Sequence, residues 1–248
     1  MRKRSVFFLV LACIGVFAFT AGLAISGKME SLELPFFKKE PVADYTQPAP
    51  ESAPVEDGFF ANSAFIGHSL IEGFAGYSGL EGPDFFAETG FSVQRSMSYD
   101  GFELPDGSYG RLKTGLSMAS YDKVYIMFGI NEIGSGTEIF TRDMGAMIDL
   151  VREYQPEASL YVLAVTPTTR YESETTSFNR DNIRAYNDAL QALCGAKECI
   201  FVDLFSCFAD ENGYLPDEKS SDGIHFYSEP YVEMLQYLKT HTTPVMTN

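Results

Sequence analysis

Three residues that lie far apart in the chain have the types needed for a nucleophilic serine centre. Ser69 follows a short apolar run, and Asp222 and His225 lie near the other end of the chain. A serine hydroxyl is a weak nucleophile at neutral pH, so it needs a base and a third group that orients the base. A carboxylate three residues before a histidine can reach Nδ1 and leave Nε2 free for the serine. We therefore predict a triad of Ser69, His225 and Asp222.

Few other residues compete for these roles, because the chain has three histidines. His241 lies in a threonine-rich tail without a carboxylate at a comparable spacing. His68 is adjacent to Ser69, where neighbouring side chains usually diverge, so we interpret it as a structural histidine or a modulator of the site. Ser117, in the segment Gly-Leu-Ser-Met-Ala, loosely resembles a nucleophile elbow, but no convincing strand precedes it.

Asn131 is the predicted donor for a developing oxyanion. It follows a buried strand that closes at Gly129, a residue that lets the chain leave the sheet sharply. A side-chain amide at this place can point into the site, and removal of one such donor from an acyl-transfer centre costs about 3–4 kcal/mol in barrier.

The elements that must position these residues alternate between strand and helix from about residue 59. Apolar runs bounded by Gly or Pro predict strands at 63–67, 84–91, 123–128, 159–165 and 199–202. Helical spacing predicts helices at 139–154, at 178–193 and over 231–238. This order predicts a three-layer α/β/α sandwich, flavodoxin-like, with a central parallel sheet of about five strands. Ligands bind beyond the carboxyl ends of such strands, so the loop 166–177 should border the site.

Three short segments, in this order, resemble blocks of the SGNH (GDSL-like) hydrolase superfamily. Residues 67–70 (Gly-His-Ser-Leu) are similar to its first block, usually Gly-Asp-Ser-Leu. Residues 129–132 (Gly-Ile-Asn-Glu) are similar to the third, usually Gly-x-Asn-Asp, and residues 222–225 (Asp-Gly-Ile-His) to the fifth, Asp-x-x-His. Each block alone is a weak pattern, but three in order are specific, and the resemblance spans about residues 60–240.

The resemblance implies a serine esterase or acylhydrolase that uses no organic cofactor and no metal. Ser69, Asp222 and His225 would be catalytic, and the Ser69 N–H and the Asn131 amide would bind the oxyanion. The implied substrates are short acyl esters, such as acetyl groups on cell-envelope glycans, or lipid esters. Two alternatives remain: a weak or inactive glycan-binding module, and an acyltransferase that uses the same triad.

Two departures from the family pattern affect the site. His68 replaces the usual aspartate, which should alter the pKa balance or the loop packing without removing the serine. The second block normally supplies a glycine N–H to the oxyanion. The matching segment here, residues 88–93 (Glu-Thr-Gly-Phe-Ser-Val), has its glycine, Gly90, two or three positions early. Any non-proline residue carries an N–H, so Ser92 or Val93 is the expected donor.

The composition argues against a nucleic-acid partner and leaves two states for the cysteines, a disulfide or buried thiols. The chain has 18 Lys and Arg against 34 Asp and Glu, a formal net charge of -16. So acidic a domain repels phosphate backbones, and we expect no nucleic-acid partner. Outside the cytosol Cys194 and Cys199 could pair across a short loop, or they and Cys207 could be buried thiols.

The N-terminus carries an export signal. Arg2, Lys3 and Arg4 precede an uncharged apolar run to about residue 26, long enough to cross a bilayer. Basic residues before such a run favour an inside N-terminus, which predicts a single-pass membrane protein with its domain outside. A cleaved signal peptide, which would release a secreted protein, is the alternative. Residues 27–58 are proline-rich and predict a flexible linker, and residues 59–248 would form the hydrolase domain.

Overall fold

The computed structural model describes residues 41–247. The predicted membrane anchor or signal peptide, residues 1–26, lies outside the described residues, as does the first part of the predicted linker, residues 27–40. Between residues 41 and 247, none of the helices combines the length and the apolar character that a bilayer crossing requires.

A parallel sheet of five strands forms the centre of the domain and confirms the predicted α/β fold. All strands of the described residues, inside and outside this sheet, are in chain order β1 (Val42–Asp44), β2 (Ser63–Gly67), β3 (Asp84–Ala87), β4 (Phe102–Glu103), β5 (Tyr109–Gly110), β6 (Lys123–Met127), β7 (Ser159–Leu163), β8 (Ile200–Val202) and β9 (Val245–Thr247). Five of them form the central sheet in the order β3-β2-β6-β7-β8, and every neighbouring pair in it is parallel. All five strands therefore end at the same edge, which is where the predicted functional loops begin.

An aromatic ladder crosses the middle of this sheet. Phe65 on β2 is the register partner of Tyr125 on β6, which in turn pairs with Tyr161 on β7. Their rings stack at centroid distances of 4.4 and 4.5 Å, and all three are buried. Stacked aromatic pairs contribute about 0.5–1.5 kcal/mol each beyond their burial, so the ladder fixes the register of the three central strands.

Helices cover the two faces of the sheet. Within the described residues they are α1 (Ser69–Tyr77), α2 (Val93–Ser98), α3 (Leu112–Met118), α4 (Thr137–Tyr154), α5 (Arg170–Thr175), α6 (Arg180–Lys197), α7 (Leu204–Phe208) and α8 (Ser228–Thr240). Helices α2, α3 and α4 contact one another and α6 contacts α4, whereas α8 contacts α1 and α7. These two groups form the outer layers of the sandwich. Compared with the predictions, α6 is longer by a turn at its C-terminal end, and α8 begins three residues earlier.

The predicted strand 84–91 is shorter in the structure and ends at Ala87. Gly90 has φ 74°, a left-handed conformation that breaks the extended chain and turns it toward α2. The last part of the predicted strand is therefore a turn beyond the carboxyl end of β3, on the side of the sheet where the functional loops lie.

The prediction of a flexible linker is wrong for residues 41–58. Strand β1 pairs antiparallel with β9, and the Ala49 N–H donates to the Phe201 carbonyl of edge strand β8 at 2.8 Å. Farther along, the Ser52 N–H donates to the Thr240 carbonyl at 2.7 Å. The prolines that suggested a linker instead suit an extended strap, whose backbone bonds to the domain and covers a sheet edge.

Close packing between α1 and α8 joins the start and the end of the domain. A Cβ added at Gly73 would lie 2.2 Å from the Tyr231 hydroxyl oxygen, so glycine is what allows this approach. Tyr231 is itself buried and stacks on Tyr77 at 5.8 Å. Ser69 begins α1, and His225 lies three residues before α8, so this contact sets the distance between them.

We predict that Gly73→Ala destabilises the domain by about 1–3 kcal/mol, because the Tyr231 ring has to move out of a packed interface. Gly76→Ala in the same helix is the matched control, since a Cβ there meets nothing within 4 Å. The control should be neutral or stabilising by up to about 1 kcal/mol. Urea unfolding of both variants measures the difference, and equal free energies of unfolding would contradict the packing argument.

Candidate active site

Ser69 is placed by a tight turn between β2 and α1. Gly67 ends β2, and a Cβ at this position would come within 2.8 Å of the Met127 carbonyl oxygen on the neighbouring strand. His68 is the N-cap, and Ser69 is the first residue of α1. The hydroxyl therefore lies at the carboxyl end of the sheet and beside a helix N-terminus, where backbone N–H groups lack intrahelical acceptors.

The structure brings Ser69, His225 and Asp222 together in one hydrogen-bonded line. Ser69 Oγ lies 2.9 Å from His225 Nε2, and His225 Nδ1 lies 2.6 Å from Asp222 Oδ2. With the Nδ1 proton facing the carboxylate, Nε2 is the acceptor for the serine proton. The side chains of His225 and Asp222 are about half exposed, so the line is open to a ligand from solvent.

Asp222 is held by its own loop through its second oxygen. Oδ1 accepts from the backbone N–H groups of Ile224 and His225, at 2.9 and 2.8 Å. Partial burial raises the pKa of the Asp222 carboxyl, but the hydrogen bonds from His225 and Ile224 outweigh it and lower this pKa to about 2. Asp222 is therefore ionised at neutral pH and can stabilise a protonated imidazole.

His68 lies beside the triad but has a different role in the structure. Its Nδ1 accepts from the Leu70 N–H at 3.3 Å, so the side chain caps α1. The side chain is buried, and burial, with a smaller contribution from the charge of His225, lowers the pKa of His68 to about 3. His68 is therefore neutral, and it supports the first turn of the helix that carries Ser69.

A side-chain hydrogen bond joins Asn131 to the second-block segment. Asn131 Nδ2 donates to the Phe91 carbonyl oxygen at 2.9 Å. One of its two amide protons is used in this bond, which leaves the other for a ligand. The residue lies in a short 3-10 turn, Ile130–Glu132, directly after β6. This turn begins at Gly129, whose φ of 133° no other residue adopts easily.

The two candidate donors of the second block differ in availability. The Val93 N–H already donates to the carboxylate of Glu132 at 2.7 Å, so it is not free for an oxyanion in this arrangement. Ser92 is the N-cap of α2 and uses its hydroxyl oxygen to accept from the Arg95 N–H at 3.3 Å. Its own N–H has no protein acceptor within residues 41–247.

Glu132 is a buried residue of this region that was not among the site residues predicted from the sequence. It lies at the fourth position of the third block, so the pattern contained a signal, but its burial could not be read from one sequence.

The loop 166–177 borders the site, as expected. The Thr169 N–H, just before α5, donates to the Gly223 carbonyl, in the loop between Asp222 and His225, at 3.0 Å.

The competing residues are used elsewhere. His241 stacks on Tyr237 at 3.8 Å and bonds to its carbonyl through Nδ1. Ser117 Oγ donates to the Thr114 carbonyl on the helix surface.

Cys194, Cys199 and Cys207 are free thiols, the first two buried. Among the residues from 41 to 247 no group of three His, Cys, Asp or Glu side chains has a metal-binding arrangement.

Comparisons with known proteins agree with the fold. A family model described as GDSL-like Lipase/Acylhydrolase family matches residues 65–231. No curated protein matches the chain.

Similar solved structures come from several bacteria. A Streptococcus pneumonia protein, provisionally described as a platelet activating factor, has 24% identity and a TM-score of 0.55, with 72% of this chain and 82% of that one covered. A GDSL-like lipase of Bacteroides thetaiotaomicron has 17% identity and a TM-score of 0.55, over 75% and 89% of the two chains. A Bacteroides fragilis protein, provisionally described as an acylhydrolase, has 17% identity and a TM-score of 0.54, over 79% and 91%. At these identities the likeness shows the fold.

We predict that His68→Asn makes the stability of the domain less sensitive to acid. An unfolded histidine binds a proton near its ordinary pKa of 6.5, whereas folded His68 stays neutral down to about pH 3. Between these values the unfolded state binds one more proton than the folded state. The free energy of unfolding therefore decreases as the pH is lowered, by up to about 1.4 kcal/mol per pH unit. Asparagine keeps a capping acceptor without this titration.

Urea unfolding at pH 7 and pH 4 measures this effect. The decrease in the free energy of unfolding should be smaller in His68→Asn than in the wild type. Parallel pH dependences would show that His68 is protonated in the folded protein and would contradict its assignment as a neutral cap.

Proposed function

The chain belongs to the GDSL-like Lipase/Acylhydrolase family, and on that premise we propose that it is a serine esterase that acts on short acyl esters. The observation that carries this proposal is the contact of 2.9 Å between Ser69 Oγ and His225 Nε2. The hydrogen bond of 2.6 Å from His225 to Asp222 supports it, because a base that accepts a serine proton needs an oriented and charge-stabilised ring.

The proposed reaction is a two-step acyl transfer to water. His225 Nε2 takes the proton of Ser69 as Oγ attacks the ester carbonyl carbon, and a tetrahedral intermediate forms. His225 then gives that proton to the leaving alcohol oxygen as the ester C–O bond breaks, which leaves an acyl group on Ser69. In the second step His225 takes a proton from water as the water oxygen attacks the acyl carbon. It then returns this proton to Ser69 Oγ as the bond between Oγ and the acyl carbon breaks and the acid leaves.

The charge of the tetrahedral intermediate requires donors that are not already bonded. We assign the backbone N–H of Ser69, at the N-terminus of α1, and the second amide proton of Asn131. The N–H of Ser92, which bonds to no acceptor in the described part of the chain, is a third candidate in the same region of the fold. Val93 would contribute only if its bond to Glu132 opened.

The proposed setting is outside the cytosol. It rests on the basic residues at positions 2–4 and the apolar run that follows, all outside the described residues. Acyl groups on envelope glycans are then the favoured substrates, with lipid esters as the second class. A non-catalytic glycan-binding module is less favoured, because binding alone has no need of a serine, an imidazole and a carboxylate in line.

We predict that Ser69→Ala abolishes hydrolysis of a short-chain nitrophenyl ester, because no other hydroxyl contacts His225 Nε2 among residues 41–247. Ser117→Ala, at the rival serine, is the matched control and should keep the wild-type rate. Release of nitrophenol, measured spectrophotometrically, gives kcat and KM for each protein. Equal rates in the wild type and Ser69→Ala would contradict the assignment of the nucleophile.

We predict that Asp222→Asn lowers kcat by about 10⁴-fold, the effect of this exchange in a well-studied serine triad, because it favours the wrong tautomer of the base. An asparagine oxygen can still accept from the two backbone N–H groups that Oδ1 binds. The thermal unfolding midpoint should therefore change little while kcat falls. A variant that retains more than about a tenth of wild-type kcat would show that Asp222 does not orient the base, because a tenfold loss of rate corresponds to only about 1.4 kcal/mol of activation free energy.

A further inference from the structure

Glu132 is a buried carboxylate that binds two backbone donors from different segments. Its Oε1 accepts from the Val93 N–H at 2.7 Å, and its Oε2 accepts from the Gly129 N–H at 3.0 Å. The residue is 6% exposed, and no Lys, Arg or His forms an ion pair with it in the part of the chain that is described. A carboxylate in this position is costly to bury, so its two bonds must matter to the arrangement that it holds.

Asn131, next to Glu132 in the chain, binds the other side of the second-block segment. Asn131 donates to the Phe91 carbonyl oxygen, while Glu132 accepts from the Val93 N–H. The carbonyl and N–H of one trans peptide point in opposite directions, so the bond to Phe91 also fixes the direction of the Ser92 N–H. Residues 91 and 93 are thus both bound to the loop after β6. The Ser92 N–H, which bonds to no acceptor among residues 41–247, points away from the Phe91 carbonyl.

The loop that carries Glu132 is itself rigid. The Tyr186 hydroxyl donates to the Glu132 carbonyl oxygen at 2.7 Å and accepts from the Gly136 N–H at 3.1 Å. A Cβ at Gly129 would lie 2.3 Å from Val165 Cγ2, so the start of the loop packs closely on the chain that follows β7. A displacement at Glu132 would therefore be transmitted to the turn and not absorbed by its own loop.

We propose that Glu132 is a positioning residue, whose carboxylate sets the second-block turn against Asn131 so that the oxyanion donors have a fixed geometry. This inference rests on the proposed function. Each of the two N–H groups binds a different oxygen of Glu132. A neutral amide is not equivalent, because it has an NH₂ donor in place of one of these acceptors. Burial raises the pKa of Glu132 and the two backbone bonds oppose that rise, as expected for a carboxylate that is stabilised by the N–H groups that it holds.

The test compares Glu132→Gln and Glu132→Asp with a control at the opposite edge of the sheet. Glutamine presents an NH₂ group to one of the two N–H donors, and aspartate is one methylene too short to span both. The control, Gln155→Glu, makes the reverse exchange in another buried side chain, one that bonds to the backbone of Tyr121 and Ala119. It separates a general loss of stability from a specific effect on the site.

We expect both Glu132 variants to lower kcat for a short-chain nitrophenyl ester by about tenfold to a hundredfold, because displaced donors bind the oxyanion poorly. KM should change little, since the ester ground state does not need these donors. Gln155→Glu should leave kcat unchanged at temperatures where it is folded. Unchanged kcat in folded Glu132→Gln would overturn the proposal, and so would a raised kcat, which would mean that Glu132 withholds the Val93 N–H from the oxyanion.

Amide hydrogen exchange tests the same contact without any activity. The Val93 and Gly129 amides should exchange at least about tenfold faster in Glu132→Gln than in the wild type, a change of 1.4 kcal/mol in local opening. The control should leave them protected. If the wild type hydrolyses no ester, the proposed function fails, and the exchange measurement then decides the positioning role: equal protection in the wild type and Glu132→Gln would overturn it.

Discussion

The contact between Ser69 and His225 is the interaction on which the rest of the structure depends, since it joins residues 156 positions apart. A parallel sheet solves this problem because all its strands end at one edge, where the loops after them meet. The close approach of α1 to α8, through Gly73 and Tyr231, then fixes the separation of the two side chains. Sheet topology brings the residues to the same edge, and helix packing sets their distance.

Electrostatics keeps Asp222 charged and His68 neutral at neutral pH. Asp222 is stabilised as an anion by backbone N–H groups, which lets it hold the Nδ1 side of His225. His68, the other imidazole close by, stays neutral because it is buried, so no second positive charge competes with a protonated His225. Glu132, next to Asn131 in the chain, is a buried carboxylate that is stabilised by its bonds to the Val93 and Gly129 N–H groups.

The fold and the composition of the triad could be predicted from the sequence because both depend on local patterns. Alternating strands and helices indicate a parallel sheet, and the spacing of Asp222 and His225 predicts their bond. Three features could not be predicted: the strap of residues 41–58, the cap made by His68, and the carboxylate bridge of Glu132. The strap and the bridge depend on contacts with distant segments, β8 for the strap and Val93 for Glu132, which local patterns do not contain. The His68 cap is a local bond to the Leu70 N–H, but histidine is not one of the usual N-cap residues.

Covalent labelling by a fluorophosphonate tests the central claim most directly, because the reagent reacts with a serine only when a base activates its hydroxyl. Peptide mapping by mass spectrometry should find the phosphonyl group on Ser69 in the wild type. In His225→Ala the same site should react far more slowly, although Ser69 is still present. Labelling of a different residue, or an equal rate at Ser69 without His225, would contradict the account.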